Sequence, residues 1–226
     1  MNNDSGLYYE NFHELISNRG IVGLIGKLTH VSLEHRVFVG KNQSNQGMKI
    51  VEVGSGQGQH LKYVTENYDS YLVTDLRPSL LKSLERANNR INIEKNSVDA
   101  ESLPYADNEF DRLIATCLLI HLMDPEKALR EWKRVVKPGG TINIYIPCES
   151  GFTLRLSQFF TTRRKQKRLG LNAKYFHYQE HRYSYPFLLS LINNVFGKNV
   201  RIRKFPFLIG TFDINLWAIA TIRNFK

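Results

Sequence analysis

Short apolar runs and segments of helical periodicity follow one another along most of this chain. Five runs of strand length are rich in Ile, Val, Leu and Thr, at residues 48–53, 71–74, 91–98, 112–116 and 141–146. Two of the segments between them begin at residues that typically start helices: Pro78 for 79–88, and Asp124 for 125–136. Alternating strands and helices predict an α/β domain, with a Rossmann-like parallel sheet and helices on both faces.

The two ends of the chain complete the predicted domain. Apolar positions at helical spacing before residue 46 predict an N-terminal cap of two or three helices. Residues 184–196 predict the last large helix, and 199–208 and 215–223 predict a closing pair of strands. At 226 residues we expect one domain, divided into an N-terminal cap 1–45, a core 46–150, an insertion 151–183, and a helix with two strands 184–226.

A glycine-rich turn follows the first strand. Glycines stand at positions 54, 56 and 58, and the apolar spacing from Leu61 onward predicts a helix directly behind them. A strand, a glycine turn and a helix start bring backbone N–H groups and a helix N-terminus to a ligand, and glycine permits close approach. The dinucleotide fingerprint G-x-G-x-x-G would need glycine at position 59, where this chain has Gln59.

Acidic residues follow the second and third strands. Asp75 lies 21 residues after Gly54, where a nucleotide fold places the carboxylate that accepts from both hydroxyls of a ribose. Asp99 ends the third strand and is predicted to meet an adenine amino group, with a turn-forming role as the alternative. Because the carboxyl ends of neighbouring parallel strands meet at one edge of a sheet, these residues predict a nucleotide site there.

Three motifs together resemble those of one enzyme family. They are Glu52-x-Gly-x-Gly-x-Gly58, then Leu103-Pro followed by Phe110-Asp111, then the block from His121-x-x-Asp-Pro125 to Lys137-Pro-Gly-Gly140. Their order over about residues 48–147 resembles the class I S-adenosylmethionine (SAM)-dependent methyltransferases, in particular the small-molecule, ubiquinone/menaquinone methyltransferase-like branch. The resemblance implies a seven-stranded sheet of order 3-2-1-4-5-7-6 with strand seven antiparallel. It also implies methyl transfer from SAM, with S-adenosylhomocysteine as the product.

The same resemblance implies cofactor roles for the residues at the matched positions. The methionine end of SAM is expected against Glu52, Gly54, Ser55, Gly56 and Gly58. The ribose and adenine are expected against Asp75 and Leu76, the adenine edge against Asp99 and Ala100, and the sulfonium near Thr116 and Cys117. Gln57, Cys117 and Ile120 depart from the commonest family pattern, and the last two lie near the expected acceptor.

Charge is distributed unevenly along the chain, whose formal net charge is +10. Residues 1–150 carry 17 Lys/Arg against 19 Asp/Glu, a balance of −2, whereas residues 151–226 carry 14 against 2, a balance of +12. This asymmetry indicates an anionic partner for the last third: a phosphorylated small molecule, nucleic acid or an acidic membrane surface. The oligomeric state stays open.

The basic insertion 151–183 lies where relatives of the resembled family place a lid over the acceptor. The candidates for acceptor contacts are Tyr8 and Tyr9 from the N-terminal cap, and Arg163, Arg164, Tyr175, Tyr178 and Arg182 from the insertion. A hydroxyl acceptor needs a base, and histidine titrates near neutrality. The candidate bases are His121, His177 and His181, with His13, His30 and His35 added if the cap folds inward.

These features predict a methyltransferase that acts on an O or N atom of a small anionic acceptor, such as a sugar nucleotide or a glycan- or lipid-pathway intermediate. An RNA (tRNA) methyltransferase and a non-catalytic SAM-binding scaffold remain alternatives, whereas Gln59 argues against a nicotinamide-dependent oxidoreductase. No metal-ligand spacing is present, and Cys117 and Cys148 fit no disulfide pattern. The N-terminus lacks the layout of a signal peptide, which predicts cytoplasmic localisation.

Overall fold

Seven strands form one mixed sheet in the order β3-β2-β1-β4-β5-β7-β6, in which β7 alone runs antiparallel to its neighbours. This confirms the predicted fold. The computed structural model describes residues 20–34, 47–65, 68–82, 84, 93–148, 151–153, 155–156, 181–207 and 210–225. Much of the predicted cap and insertion therefore lies outside the described residues, and the division of the chain into these segments stays a prediction.

The described strands and helices have the following bounds. The strands are β1 Met48–Val53, β2 Tyr68–Thr74, β3 Ile93–Asn96, β4 Phe110–Thr116, β5 Val136–Pro147, β6 Val200–Phe205 and β7 Trp217–Arg223. The helices are α1 Gly20–Glu34, α2 Pro78–Lys82, α3 Pro125–Val135 and α4 Tyr185–Phe196. None of the described helices combines the length and the apolar character that crossing a bilayer requires.

Helix α3 shows how the local sequence specifies an element. The Asp124 side chain accepts a hydrogen bond from the Lys127 N–H at 3.0 Å, and Pro125 occupies the first helical position, where no N–H is needed. Its apolar residues recur at helical spacing and are buried: Ala128, Leu129, Trp132 and Val135. This stripe packs on the sheet beside α4 and forms the larger core, while α1 and α2 cover the opposite face.

The helix predicted directly behind the glycine turn is wrong. Among the described residues between the turn and β2, only a 3-10 turn, Leu61–Tyr63, is present, and the backbone at Val64 is already extended. Strand β2 begins at Tyr68, three residues earlier than predicted, so little chain remains for a helix. The β-branched Val64 and Thr65 also favour extended backbone. The glycine turn therefore has no long helix, and no long-helix dipole, directly behind it.

Strand β5 also begins earlier than predicted. We expected Lys137-Pro-Gly-Gly140 to be a connector, but β5 already starts at Val136. Val136 pairs with Phe110, and the register then shifts before Arg112 pairs with Thr141. Gly139, whose φ is +80°, absorbs this irregularity in the backbone.

Candidate active site

The carboxyl ends of β1, β2 and β4 meet at one edge of the sheet, where the sequence predicts the nucleotide site. The Ser55 N–H donates to the Thr74 carbonyl at 2.8 Å, which joins the glycine turn to the end of β2. A Cβ on Gly54 would come within 2.6 Å of the Leu118 side chain, which follows β4. The glycine turn is thus held between the two neighbouring strand ends.

The three glycines of the turn have different surroundings. All three adopt positive φ, at 63° for Gly54, 56° for Gly56 and 67° for Gly58. A side chain on Gly54 would overlap Leu118, and one on Gly58 would overlap Leu84. A Cβ on Gly56, by contrast, would meet nothing within 4 Å. Gly56 therefore faces open space, and a ligand can approach the backbone of the turn at this point.

Asp75, the predicted ribose ligand, directs its carboxylate at the glycine turn. Its Oδ2 accepts from the Gly56 N–H at 2.9 Å, and its Oδ1 accepts from the Arg77 N–H at 2.9 Å. These two bonds fix the carboxylate beside the open space at Gly56. Because each carboxylate oxygen can accept more than one hydrogen bond, Asp75 keeps acceptor capacity for the hydroxyls of a ribose.

Three buried polar atoms around the turn favour a polar ligand. Within the part of the chain that the structure describes, Glu52 Oε1, Ser55 Oγ and Gln57 Oε1 have no hydrogen-bond partner. The other oxygen of Glu52 accepts from the Tyr71 hydroxyl at 2.8 Å, and burial raises the pKa of this carboxyl. Leaving such groups unsatisfied is costly, so the turn fits a ligand that carries several polar groups. Gln57 was not among the predicted contacts.

The remaining predicted cofactor residues lie along the same edge. The Ser97 hydroxyl donates to the Leu76 carbonyl at 3.2 Å, which links the end of β3 to that of β2. Asp99 accepts from the Glu101 N–H at 2.9 Å, as the turn-forming alternative expects. Thr116 ends β4, and Cys117 follows it with a φ of 55°. Ala100 is buried, and its carbonyl accepts from the Trp132 indole at 3.0 Å.

Two of the predicted bases lie together just beyond β4. The rings of His121 and His181 pack edge to face with their centroids 5.0 Å apart. The segment that carries His181 is anchored here, because the Arg182 N–H donates to the Ile120 carbonyl at 3.1 Å. The Tyr183 hydroxyl also donates to the Met123 carbonyl at 2.8 Å. The other candidates lie outside the described residues: Tyr8, Tyr9, His13, His35, Arg163, Arg164, Tyr175, His177 and Tyr178.

A buried polar network behind the glycine turn was missed by the sequence analysis. Glu34 of α1 accepts from Arg112 Nη2 at 2.8 Å, and Glu34 Oε1 lies 2.9 Å from His60 Nε2. Arg112 Nε also donates to Asn143 Oδ1 at 2.9 Å. His60 closes the glycine turn, and its Nδ1 lies 3.0 Å from His30 Nδ1. The network therefore ties α1, the glycine turn, β4 and β5 together.

His30 of α1 belongs to the same network through its contact with His60. Burial, together with the charges of His60 and Lys62, lowers the pKa of His30 to about 3. Its ring stacks on Tyr63 at 5.1 Å, beneath the glycine turn. His30 thus contacts the far end of the turn, whereas His121 follows β4 and packs against His181. The expectation that His30 acts as a base if the cap folds inward stays a prediction.

Comparison with known proteins shows what the part of the chain that carries this edge is similar to. A family model described as a methyltransferase domain matches residues 51–144, which include β2, β3 and β4, the second half of β1 and most of β5. The chain is 33% identical over 119 residues to the chloroplastic 2-methyl-6-phytyl-1,4-hydroquinone methyltransferase 1 of Oryza sativa subsp. japonica. That alignment covers 51% of this chain and 35% of the rice protein.

A second curated relative and a solved structure agree with this match. Phosphoethanolamine N-methyltransferase 1 of Triticum aestivum is 31% identical over 116 residues, which are 50% of this chain and 23% of the wheat protein. A structure of Haemonchus contortus phosphoethanolamine N-methyltransferase 2, in complex with phosphomonomethylethanolamine and S-adenosylhomocysteine, superposes with a TM-score of 0.62 at 13% identity. The superposition covers 100% of this chain and 59% of that protein, and at this level of identity it shows a likeness of fold alone.

The family match covers the part of the chain that carries the candidate site. The matched residues include the glycine turn, Asp75 and the strand ends that the predicted site needs. The sheet around them has the strand order that the sequence motifs implied. The chain therefore has the class I methyltransferase fold, and its residues 51–144 match a methyltransferase domain.

Proposed function

We propose that the protein transfers a methyl group from SAM to an O or N atom of a small anionic acceptor. The geometry of the glycine turn supports the SAM part of this proposal. Gly56 faces open space, Asp75 is fixed beside it at 2.9 Å, and Glu52, Ser55 and Gln57 carry buried polar atoms with no hydrogen-bond partner among the described residues. A ligand with an amino-acid end and a ribose would satisfy all of these groups.

The residues of the turn would bind and orient the cofactor. Bound SAM supplies an electrophilic methyl group on a sulfonium, which leaves as a neutral thioether. We assign its amino-acid end to Glu52, Ser55 and Gln57, because an ammonium group would satisfy the free oxygen of Glu52. We assign the ribose to Asp75, and the adenine to the strand end at Asp99 and Ala100. Holding donor and acceptor in line and away from water is the main contribution that a protein makes to this reaction.

His121 is the residue to which we assign proton removal. It lies four residues past Cys117, and its ring is held edge to face by His181 at 5.0 Å. For a hydroxyl acceptor, a ring nitrogen of His121 would accept the hydroxyl proton as the new O–C bond forms. For an amine acceptor, the same nitrogen would accept a proton from the ammonium form before or after transfer. His181 would keep the ring of His121 in position.

The assignment of an anionic acceptor rests on charge. The last third of the chain carries 14 Lys/Arg against 2 Asp/Glu, and Arg182 lies beside His181 and Ile120. The wheat relative takes its name from phosphoethanolamine, a phosphorylated amine, and the rice relative from a hydroquinone. A phosphate-bearing amine or sugar nucleotide fits both the charge of the chain and one of these names.

A transfer assay with labelled SAM tests this proposal. The panel should contain a phosphorylated amine, a sugar nucleotide, a neutral hydroquinone and unfractionated tRNA. We expect label in a phosphorylated small molecule, and we expect high ionic strength to raise the KM for that acceptor, because salt screens its attraction to the basic segment. Label found only in tRNA would support the RNA alternative. SAM binding without transfer to any acceptor would support the scaffold alternative.

A further inference from the structure

Two loops beside the candidate active site expose large apolar side chains. The first loop follows β5 and is described at residues 151–153 and 155–156, which form a helical turn, and the second lies between β6 and β7 and is described at residues 206–207 and 210–216. The exposed apolar side chains of these loops are Phe152 (68% exposed), Phe207 (53%), Leu156 (45%) and Ile214 (44%), and we call these four residues the apolar rim. Because β5 and β6 run in the same direction, both loops leave the sheet at the carboxyl edge, the edge that carries the glycine turn.

Hydrogen bonds and close packing hold the two loops in place. The Cys148 N–H donates to the Leu216 carbonyl at 3.0 Å, and a Cβ on Gly151 would come within 2.8 Å of the Phe212 carbonyl oxygen. Asn215 is fully buried, accepts from the Phe207 N–H at 3.0 Å and donates to the Thr211 carbonyl at 2.9 Å. The loops therefore pack against each other, and their outward-facing apolar groups have defined positions.

Basic residues accompany the apolar rim. Arg155 is exposed between Phe152 and Leu156, and Arg203 is exposed near the end of β6. Lys204 follows, and its ammonium group donates to the Gly210 carbonyl within the second loop. Beyond position 150 the described residues include seven Lys/Arg and one acid, Asp213. Of these seven, Arg155, Arg203 and Lys204 lie on or next to the two loops, where Asp213 is the one described acid, so the rim combines exposed apolar groups with a net positive charge.

We propose that the apolar rim, with Arg155 and Arg203 beside it, docks this protein on the surface of an anionic lipid bilayer. Aromatic and aliphatic side chains that enter the acyl boundary, combined with basic groups at the headgroups, are the two contributions that hold peripheral proteins on such membranes. The aliphatic Leu156 and Ile214 favour a lipid partner over nucleic acid, because single-stranded nucleic acid stacks on aromatic rings. This surface is additional to the methyl transfer, and its test uses no acceptor.

The experiment measures sedimentation of the full chain with vesicles. Phosphatidylcholine vesicles are compared with vesicles that contain about three parts phosphatidylglycerol in ten. The rim variant is Phe152→Ser with Phe207→Ser and Ile214→Ser. Its control is Phe225→Ser, because Phe225 is another exposed apolar residue but lies beyond the end of β7, at the opposite edge of the sheet. The charge variant is Arg155→Gln with Arg203→Gln, and Lys198→Gln with Arg223→Gln at the opposite edge is its control.

We expect the wild-type chain to bind the phosphatidylglycerol vesicles and to bind them less in high salt. The rim variant should lose at least tenfold in vesicle affinity and the charge variant severalfold, while both controls bind as the wild type does. Thermal unfolding of each variant shows whether the loops have kept their fold. Failure of the wild type to bind at low salt, or equal binding by the folded rim variant, would overturn the proposal. Binding of an RNA oligonucleotide that is lost in the rim variant, without vesicle binding, would assign the surface to nucleic acid.

Discussion

Replacing Glu34 with glutamine is expected to lower the free energy of unfolding by about 3–5 kcal/mol. The substitution preserves the shape of the side chain but removes the negative charge that lies 2.8 Å from Arg112. Arg112 is fully buried in the sheet, so its charge would be left without a counter-charge in a region of low dielectric. Urea unfolding at neutral pH measures the change.

Glu126→Gln is the matched control, because Glu126 pairs with Arg130 at 2.5 Å on the exposed face of α3. An exposed pair of this kind contributes at most about 0.5 kcal/mol. A Glu34→Gln protein as stable as the Glu126→Gln protein would show that the buried network does not stabilise the fold.

The wild-type chain should also lose stability in acid through this network. Although burial alone raises the pKa of Glu34, hydrogen bonds and charge from His60 and Arg112 lower it to about 2.

The sign of this pH effect follows from the lowered pKa. The folded pKa of Glu34 lies below the ordinary value of 4.5, so its contribution is complete above pH 4.5 and is lost as the pH falls toward 2. His30 acts in the same direction at higher pH, because its lowered pKa lets the unfolded chain bind a proton first as the pH falls from 6.5 toward 3. Unfolding of Glu34→Gln should depend less on pH below about 4.5 than that of the wild type.

Replacing His121 with alanine is expected to lower kcat by about 10²–10⁴ if this residue removes the acceptor proton. The affinity for SAM should stay within about twofold of the wild type, because the proposed cofactor contacts lie on the glycine turn and the ends of β2 and β3. His181→Ala should lower kcat less, since His181 positions the His121 ring at 5.0 Å. Steady-state kinetics with the acceptor found in the transfer assay, together with calorimetric SAM titration, measures both effects.

The double variant separates a shared role from two independent ones. If His181 acts through His121, then replacing both should cost little more in kcat than replacing His121 alone. The pH dependence of kcat gives a second readout, because removal of the base should abolish the limb of the profile that this base produces. Retention of kcat within about threefold in both single variants would remove the pair from the chemistry. Loss of SAM affinity or stability would instead indicate a structural role.

Local patterns were sufficient to predict most of the sheet. Asp124 followed by Pro125 marks the start of α3 through hydrogen bonds that close within three residues, and such short-range signals are visible in sequence. The strand order was predicted from three motifs, whose order along the chain resembles that in the class I methyltransferases. The helix behind the glycine turn was predicted from apolar spacing alone, and the extended backbone at Val64 shows that spacing did not suffice.

Contacts between distant segments account for what could not be predicted. Arg112 bonds Glu34 across 78 positions, and nothing local distinguishes it from an exposed strand residue. His121 and His181 were both candidates, but their packing depends on a segment 60 residues further along the chain. Gln57 was noted as a departure from the family pattern, and only its buried, unpartnered oxygen among the described residues indicates a role.

Titration of SAM into the wild-type chain, Gly56→Ala and Gly139→Ala tests the central claim most directly. Both glycines adopt positive φ, and a Cβ on either meets nothing within 4 Å. Both variants should therefore lose about 1 kcal/mol of stability through backbone strain. Only Gly56 lies in the proposed cofactor site. We expect SAM and S-adenosylhomocysteine to bind the wild type and Gly139→Ala alike, at least tenfold weaker binding to Gly56→Ala, and no binding of NADH. Absence of SAM binding to the wild type, or equal affinities of the two variants, would contradict the assignment of this edge as a SAM site.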